Sequence, residues 1–270
     1  MRQILKSDCC RILNLHEKRR LFAVSWYECM AKEQTSFPRY LIGNWKCNKS
    51  LSQALNWFDE FAGMYQPVTD VEVIIAPPVV VLAQLADHLK KLDVPGISLA
   101  AQDLSPFPPG SYTGAVAADM LNDIADYAIV GHSERRRYFH ETSQDVTNKV
   151  SEAADSRIKP IVCVDKSYAM SQLTSLLDID CEHLVIAYSP VDALSYRAPE
   201  PVEMVTEAAE FIGNIYPNQP IVYGGSINPK NAAHYIAISG IAGLFVGSAS
   251  LDPHSFNEVH QIVSAPVTRG

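Results

Sequence analysis

Short apolar segments alternate with longer amphipathic ones along the chain from residue 40 onward. The apolar segments recur about every 25 to 35 residues and are bounded by turn residues. They read YLIGNWK from 40, VEVIIAP from 71, ISLAA from 97, YAIVG from 127, PIVCV from 160, LVIAY from 184, PIVYG from 220 and GLFVG from 243. Each segment is continuously apolar rather than alternating, which is typical of parallel strands covered on both faces.

The stretches between these segments carry helix signals. Ser50 and Gln53 have the spacing of a capping box, and so do Thr142 and Asp145. The expected buried faces consist of Leu51, Leu55, Phe58 and Ala62 in the first helix and of Val146 and Val150 in the second. A strand followed by a helix is therefore the predicted repeating unit.

Eight such units in about 225 residues predict an α/β fold, a closed (β/α)8 TIM barrel that forms a single domain over residues 38–270. An open, doubly wound parallel sheet is the alternative. Residues 1–37 are interpreted as an N-terminal extension, helical or disordered. The sequence from Met30 onward would make an ordinary beginning of the domain. Residues 1–29 are therefore either an extension that results from an upstream start and has no role in the chemistry, or an amphipathic helix that docks elsewhere.

Charge and cysteine content restrict the partners. The formal net charge is −8 at pH 7, although residues 1–36 carry seven Lys or Arg against four Asp or Glu. An acidic body repels nucleic acid and anionic membranes, and no apolar run reaches the roughly 18 residues of a membrane span. The six cysteines lack the paired spacing of a zinc site or a disulfide framework, so we expect reduced thiols in a cytoplasmic protein. They are Cys9, Cys10, Cys29, Cys47, Cys163 and Cys181.

Polar residues follow the first and fourth predicted strands, at the end of the barrel where chemistry is expected. Asn44 and Lys46 lie two positions apart, and Lys46 could neutralise a phosphate and an oxyanion or simply face solvent. His132 begins a short helix, whose free N–H groups disfavour an added proton. His132 is either a neutral hydrogen-bond donor to a polarised carbonyl or a structural histidine. Glu134 could contact Lys46 or carry a proton.

The seventh and eighth apolar segments end in glycine and serine. Gly224, Gly225 and Gly247 leave room for close approach of a ligand to the backbone, and Ser226 and Ser248 add hydroxyl groups. The loops after strands seven and eight are the usual phosphate site of such barrels. These residues therefore predict a phosphate cradle, although GGS is elsewhere often just a turn.

Five motifs together carry a family resemblance. GNWKCN, SYTG, VGHSERR, YGGSINPKN and VGSASL occur in this order between residues 40 and 264. In them the chain resembles the triosephosphate isomerase family. The resemblance implies a TIM barrel that interconverts glyceraldehyde 3-phosphate and dihydroxyacetone phosphate, or a related small sugar phosphate, without metal or cofactor. It also implies a cytoplasmic homodimer that acts in glycolysis and gluconeogenesis.

The resemblance implies roles for individual residues. Asn44 and Lys46 would bind substrate, His132 would be the neutral electrophile, and Glu134 would support the site. The residues implied to hold the phosphate are Gly224, Gly225, Ser226, Gly247 and Ser248. Residues 102–115 resemble a loop that inserts into the partner subunit, with Thr113 reaching the neighbouring site.

The resemblance fails in AYSPVDALSYR, residues 187–197. Family members have a glutamate base where Ser189 stands, and Asp192 replaces a tryptophan of their lid, which corresponds to residues 190–200. The segment after the fifth strand also lacks the family's Gly-Glu after Cys-x. Serine cannot act as the base at neutral pH because its hydroxyl is un-ionised.

Three functions remain open from the sequence. The first is an isomerase with weak or altered activity, in which Asp192 could replace the missing base. The second is a non-catalytic pseudoenzyme that still binds a small phosphorylated sugar. The third is an interaction protein that uses its dimer surface or its extension, but a vestigial pocket has no physical reason to keep a charged Lys46.

Overall fold

A closed barrel of eight parallel strands forms the centre of the protein, whose computed structural model describes residues 37–190 and 198–266. Each strand pairs with the next along the chain, and the eighth pairs with the first. The strands are β1 (Arg39–Asn44), β2 (Val71–Ala76), β3 (Ile97–Ala101), β4 (Tyr127–Val130), β5 (Lys159–Val164), β6 (Val185–Tyr188), β7 (Ile221–Tyr223) and β8 (Ile241–Val246). The TIM-barrel prediction is confirmed and the open-sheet alternative is wrong.

Helices follow the strands and cover the outside of the barrel. Within the described residues they are α1 (Leu51–Met64), α2 (Val79–Leu92), α3 (Ser133–Tyr138), α4 (Ser143–Asp155), α5 (Ala169–Thr174), α6 (Val202–Ile215), α7 (Ala232–Ile236) and α8 (Pro253–Ser264). Short 3-10 turns lie at Ala118–Leu121 and Ser248–Leu251. None of the helices in this part of the chain combines the length and apolarity needed to cross a membrane.

Side chains of each strand alternate between two apolar clusters. Ile42, Ile161 and Phe245 belong to the cluster inside the barrel. Leu41 and Val162, their chain neighbours, belong to the cluster between strands and helices. Since both faces are apolar, the strands show no polar alternation in the sequence.

Both predicted capping boxes have hydrogen bonds at the helix start. The Ser50 N–H donates to Gln53 Oε1 over 2.8 Å. At α4 the Thr142 N–H donates to Asp145 Oδ2 over 2.8 Å, and the Asp145 N–H donates to Thr142 Oγ1 over 3.1 Å. These bonds satisfy N–H groups that the helix itself leaves unpaired.

The predicted buried face of α1 is partly wrong. Leu51 is 39% exposed, whereas Trp57 and Phe61 are buried together with the predicted Phe58. Trp57 stacks on Phe61 at 4.9 Å and meets the ring of Trp45 edge-on at 5.0 Å. Because aromatic side chains bury the most area, they set the rotation of the helix against the barrel. In α4 the predicted Val146 and Val150 are buried, as expected.

A buried ion cluster joins β3 to α4. Lys149 is 4% exposed, and its Nζ lies 2.5 Å from Asp103 Oδ1 and 2.5 Å from Glu141 Oε1. Arg135 adds a 2.6 Å contact to Asp103 Oδ2. Burial raises the pKa of Asp103, and Lys149 and Arg135 oppose that rise. The cluster holds the segment after β3 and the end of the α3 segment together.

The predicted N-terminal extension lies outside the described residues. The domain division at residue 37 therefore stays a prediction. The three cysteines within the described range, Cys47, Cys163 and Cys181, are free thiols.

Candidate active site

Lys46 is held in an unusual backbone conformation just beyond the end of β1. Its φ is 53°, in the left-handed region that few residues other than glycine adopt. The Asn44 side-chain oxygen accepts from the Lys46 N–H over 3.0 Å. Gln102 Nε2 donates to the Lys46 carbonyl over 2.9 Å and to the Ala76 carbonyl over 2.8 Å. These bonds fix the direction in which the lysine leaves the strand.

Gln102 is a site residue that the sequence did not predict. It immediately follows β3 (Ile97–Ala101), as Asn44 ends β1 and His132 follows β4. Its position as a polar residue at the carboxyl end of a barrel strand could have identified it as a candidate.

Glu134 bridges Lys46 and the start of α3, which confirms the contact that the sequence suggested. Lys46 Nζ lies 2.7 Å from Glu134 Oε1. Their side chains are 31% and 42% exposed, so the pair adds little to stability. Its effect is to orient the ammonium group at the barrel mouth.

His132 lies buried at the end of β4, with 4% exposure. Its Nδ1 accepts a hydrogen bond from the Glu134 N–H over 3.2 Å, which assigns the proton of the neutral ring to Nε2. Burial, followed by the charge of Lys46, lowers the pKa of His132 to about 4, although Glu134 opposes the shift. The ring is therefore a neutral donor at pH 7, and its 3.8 Å approach to Glu134 Oε2 is not an ion pair.

We expect His132 to stay neutral from pH 8 down to about 5. Its folded pKa lies below the roughly 6.5 of an unfolded histidine, so the unfolded chain takes up the proton first. The histidine thus lowers stability progressively as the pH falls from about 6.5 towards 4. Histidine ring shifts in an NMR titration measure this, with the urea-unfolded chain as reference. A folded-state midpoint near 6.5 would contradict the assignment.

The predicted phosphate residues lie after β7 and β8. Gly224 and Gly225 are buried, and a Cβ on Gly225 would fall 2.1 Å from the Tyr223 hydroxyl. A Cβ on Gly247 would meet nothing within 4 Å. Glycine at 225 is thus needed for packing, whereas Gly247 borders open space that a ligand can enter.

The two serines of this cradle differ in exposure. Ser226 is half-buried in a left-handed conformation with φ 51°, and its carbonyl accepts from Asn231 Nδ2 over 3.1 Å. Ser248 is exposed at the start of a 3-10 turn. Since β7, β8 and β1 are neighbours in the barrel, this edge adjoins Lys46.

Ser189 occupies the position after β6 and is 2% exposed. Its N–H donates to the Val164 carbonyl over 2.8 Å. The hydroxyl has no well-formed hydrogen bond in the described part of the chain. A Cβ on Gly224 would come within 2.8 Å of that hydroxyl, so Gly224 provides the space that Ser189 uses.

Of the remaining predicted residues, Thr113 is not brought into this group. Asp192 lies outside the described residues. Thr113 is exposed on the loop after β3, where Phe107 and Tyr112 stack at 4.6 Å and are 43% and 45% exposed.

Comparison with known proteins identifies relatives over most of the chain. The family model for triosephosphate isomerase matches residues 39–263. The chain is 35% identical to a triosephosphate isomerase of Dehalococcoides mccartyi over 237 residues, which cover 80% of this chain and 93% of that protein. It is 36% identical to the enzyme of that name from Thermus thermophilus, with 80% and 95% covered. For the one from Mesomycoplasma hyorhinis the identity is 34%, with 80% and 95% covered.

Proposed function

The chain belongs to the triosephosphate isomerase family, and we propose that it is a weak isomerase of triose phosphates. Its substrates would be glyceraldehyde 3-phosphate and dihydroxyacetone phosphate, or a related small sugar phosphate. The observation that carries the proposal is the neutral His132 beside a fixed Lys46 at the barrel mouth. No metal or cofactor is needed for this chemistry.

The proposed roles follow from charge and hydrogen bonding. Lys46 supplies the positive charge that attracts the phosphorylated substrate and balances an oxygen that becomes negative. His132, whose ring is neutral, donates a hydrogen bond from its Nε2–H group to that oxygen. Asn44 and Glu134 hold Lys46 in place. Glycines and serines after β7 and β8 would bind the phosphate.

Turnover is expected to be low because Ser189 stands where the family has its base. A positioned general base contributes roughly 10² to 10⁴ in rate, which corresponds to about 3 to 5 kcal/mol of activation free energy. The serine hydroxyl is un-ionised at neutral pH. It therefore cannot take a proton from carbon unless another base activates it.

Binding without catalysis is the second candidate function. It is favoured by the buried Ser189 hydroxyl, which has no well-formed bond to a basic group within the described residues. In this case the protein would bind a triose phosphate at Lys46 and the glycine loops and release it unchanged.

Two measurements on the purified protein test binding and turnover separately. We expect 2-phosphoglycolate at 100 times its dissociation constant to stabilise the fold by about 2.7 kcal/mol, which raises the melting temperature by roughly 5 to 11 °C. A coupled assay with glyceraldehyde 3-phosphate reports turnover. Lys46→Met should remove the thermal shift, whereas the exposed Lys91→Met should keep it. If millimolar ligand leaves the wild-type melting temperature unchanged, both candidate functions are wrong.

A homodimer is also part of the proposal. The exposed aromatic pair Phe107 and Tyr112 next to Thr113 suits insertion into a second copy, since large apolar side chains on a projecting loop mark contact surfaces. Sedimentation at micromolar concentration should give twice the chain mass of 29.8 kDa, and a monomer would refute this. We also propose a cytoplasmic location, which the free thiols of the three described cysteines suit.

A further inference from the structure

Asp165 is the neighbour of Ser189 across two paired strands. The register of β5 and β6 pairs Cys163 with Ala187 and Val164 with Tyr188. The Ser189 N–H continues this ladder to the Val164 carbonyl. The next pair along is therefore Asp165 and Ser189. Strands in a sheet lie about 4.8 Å apart, so the two residues are separated by one strand spacing.

Side chains along a strand point alternately inside and outside the barrel, and Asp165 and Ser189 both have positions on the inner side. Cys163 and Ala187 belong to the cluster inside the barrel, whereas Val164 and Tyr188 belong to the outer cluster. One residue further along each strand, Asp165 and Ser189 return to the inner side. Asp165 is 8% exposed and Ser189 is 2% exposed. They line one small crevice together with Gly131, Cys163 and the Arg136 side chain.

The Asp165 carboxylate is oriented by backbone N–H groups. Its Oδ1 accepts from the Ser167 N–H over 2.9 Å and from the Tyr168 N–H over 3.0 Å, at the turn that leads into α5. Both bonds go to the same oxygen, and no hydrogen bond to Oδ2 is formed by the described residues. The carboxylate is thus fixed through one oxygen while the other can accept a proton.

Other candidate bases near Ser189 are less suited. Burial raises the pKa of Cys163 to about 12, so its thiol stays protonated at neutral pH. Glu134 is engaged by Lys46 over 2.7 Å. Glu200 accepts from the Tyr188 hydroxyl over 2.8 Å, and Tyr188 belongs to the cluster outside the barrel. Asp165 is the carboxylate on the inner side next to Ser189 in the described part of the chain.

We propose that Asp165 is the catalytic base of this protein and acts in place of the carboxylate missing at Ser189. The inference rests on the proposed isomerase function. Asp165 takes a proton from the substrate carbon next to the carbonyl, directly or through one water molecule. The electrons of the broken C–H bond form a C=C bond, and the carbonyl π electrons move to oxygen beside His132 and Lys46. Asp165 returns the proton to the former carbonyl carbon, and the hydroxyl proton of the first carbon moves to the enolate oxygen, so that a new carbonyl and a new hydroxyl complete the isomerisation.

The sideways displacement by one strand spacing explains why turnover would be slow. A base must lie within hydrogen-bond reach of the proton or be joined to it by one water. The buried Ser189 hydroxyl lacks a well-formed hydrogen bond among the described residues and lines one crevice with Asp165, so a single water could join the two groups.

The test compares Asp165→Asn with Asp192→Asn and with the exposed control Asp178→Asn. Asparagine keeps an oxygen for the two N–H groups but is not basic, so the melting temperature should be unchanged. The readouts are the coupled assay and, for slow turnover, exchange of substrate C–H for deuterium in D2O by NMR. We expect Asp165→Asn to lower both by about 10² or more and to keep the thermal shift with 2-phosphoglycolate. If Asp165→Asn unfolds, Asp165→Ser replaces it, since a serine hydroxyl can also accept a hydrogen bond from the N–H two residues further along.

Several outcomes would overturn the proposal. Wild-type exchange in Asp165→Asn refutes it, as does a loss found in Asp192→Asn instead. Thermal shift without exchange in the wild type also refutes it and leaves binding as the function. Absence of both shift and exchange in the wild type refutes the proposed function itself. Ser189→Glu in the Asp165→Asn background should restore turnover, which shows that the variant still binds substrate.

Discussion

Ser189→Glu is expected to raise triose phosphate isomerisation by about 10²- to 10⁴-fold, because it returns a general base to the inner side of β6. The rest of the proposed machinery is already in place. His132 is neutral, and Lys46 is fixed by Asn44, Gln102 and Glu134. The gain should therefore appear mainly in kcat, since the substrate-binding groups are unchanged.

The surroundings of Ser189 favour this substitution in two ways. Gly224 presents no side chain towards the Ser189 hydroxyl, so the glutamate can extend towards the barrel mouth. Asp165 is its in-register neighbour. A second carboxylate so near disfavours ionisation of the new glutamate and makes it a stronger base.

Ser189→Gln is the matched control for Ser189→Glu. It has almost the same size and shape but no basicity, so the coupled assay should show no gain. An equal gain in both variants would mean that packing, not proton transfer, limits turnover. No gain in Ser189→Glu, with the thermal shift by 2-phosphoglycolate intact, would contradict the expected role of the missing base.

The barrel could be predicted because two features of the sequence identify each strand. Each strand is a continuous apolar run bounded by turn residues, and each begins within two residues of its predicted start. The rotation of α1 was harder to predict. Periodicity alone made Leu51 equivalent to Phe58, but the aromatic packing of Trp57 on Trp45 and Phe61 turns Leu51 towards solvent.

The candidate site residues that lie at strand ends could be predicted from the sequence. Residues whose position depends on the register between paired strands could not. Lys46, Glu134 and His132 come together as expected. The position of Asp165 beside Ser189 depends on how β5 pairs with β6, because a shift of one residue would send the carboxylate to the outer side. A single sequence does not fix that register. Pairing of Cys163 with Ala187 in the structure does.

Lys149→Met is expected to destabilise the protein by about 3 to 5 kcal/mol, because it leaves the buried Glu141 carboxylate without its closest cation. Lys149 contacts both Asp103 and Glu141, and the Glu141 side chain is 3% exposed. Arg135 compensates only partly, since its Nε lies 3.5 Å from Glu141 Oε1. For a domain of this size we expect the melting temperature to fall by roughly 6 to 20 °C, against little change in the exposed Lys91→Met.

A double-mutant cycle distinguishes buried charge from lost packing as the cause of the Lys149→Met effect. Without the lysine, the buried Glu141 carboxylate has lost its closest cation in a site that water does not reach. Adding Glu141→Gln to Lys149→Met removes one unpaired charge and should recover part of the stability in a double-mutant cycle. Urea unfolding of the wild type, both single variants and the double variant measures the cycle, and no recovery in the double variant would show that Lys149 acts only through packing.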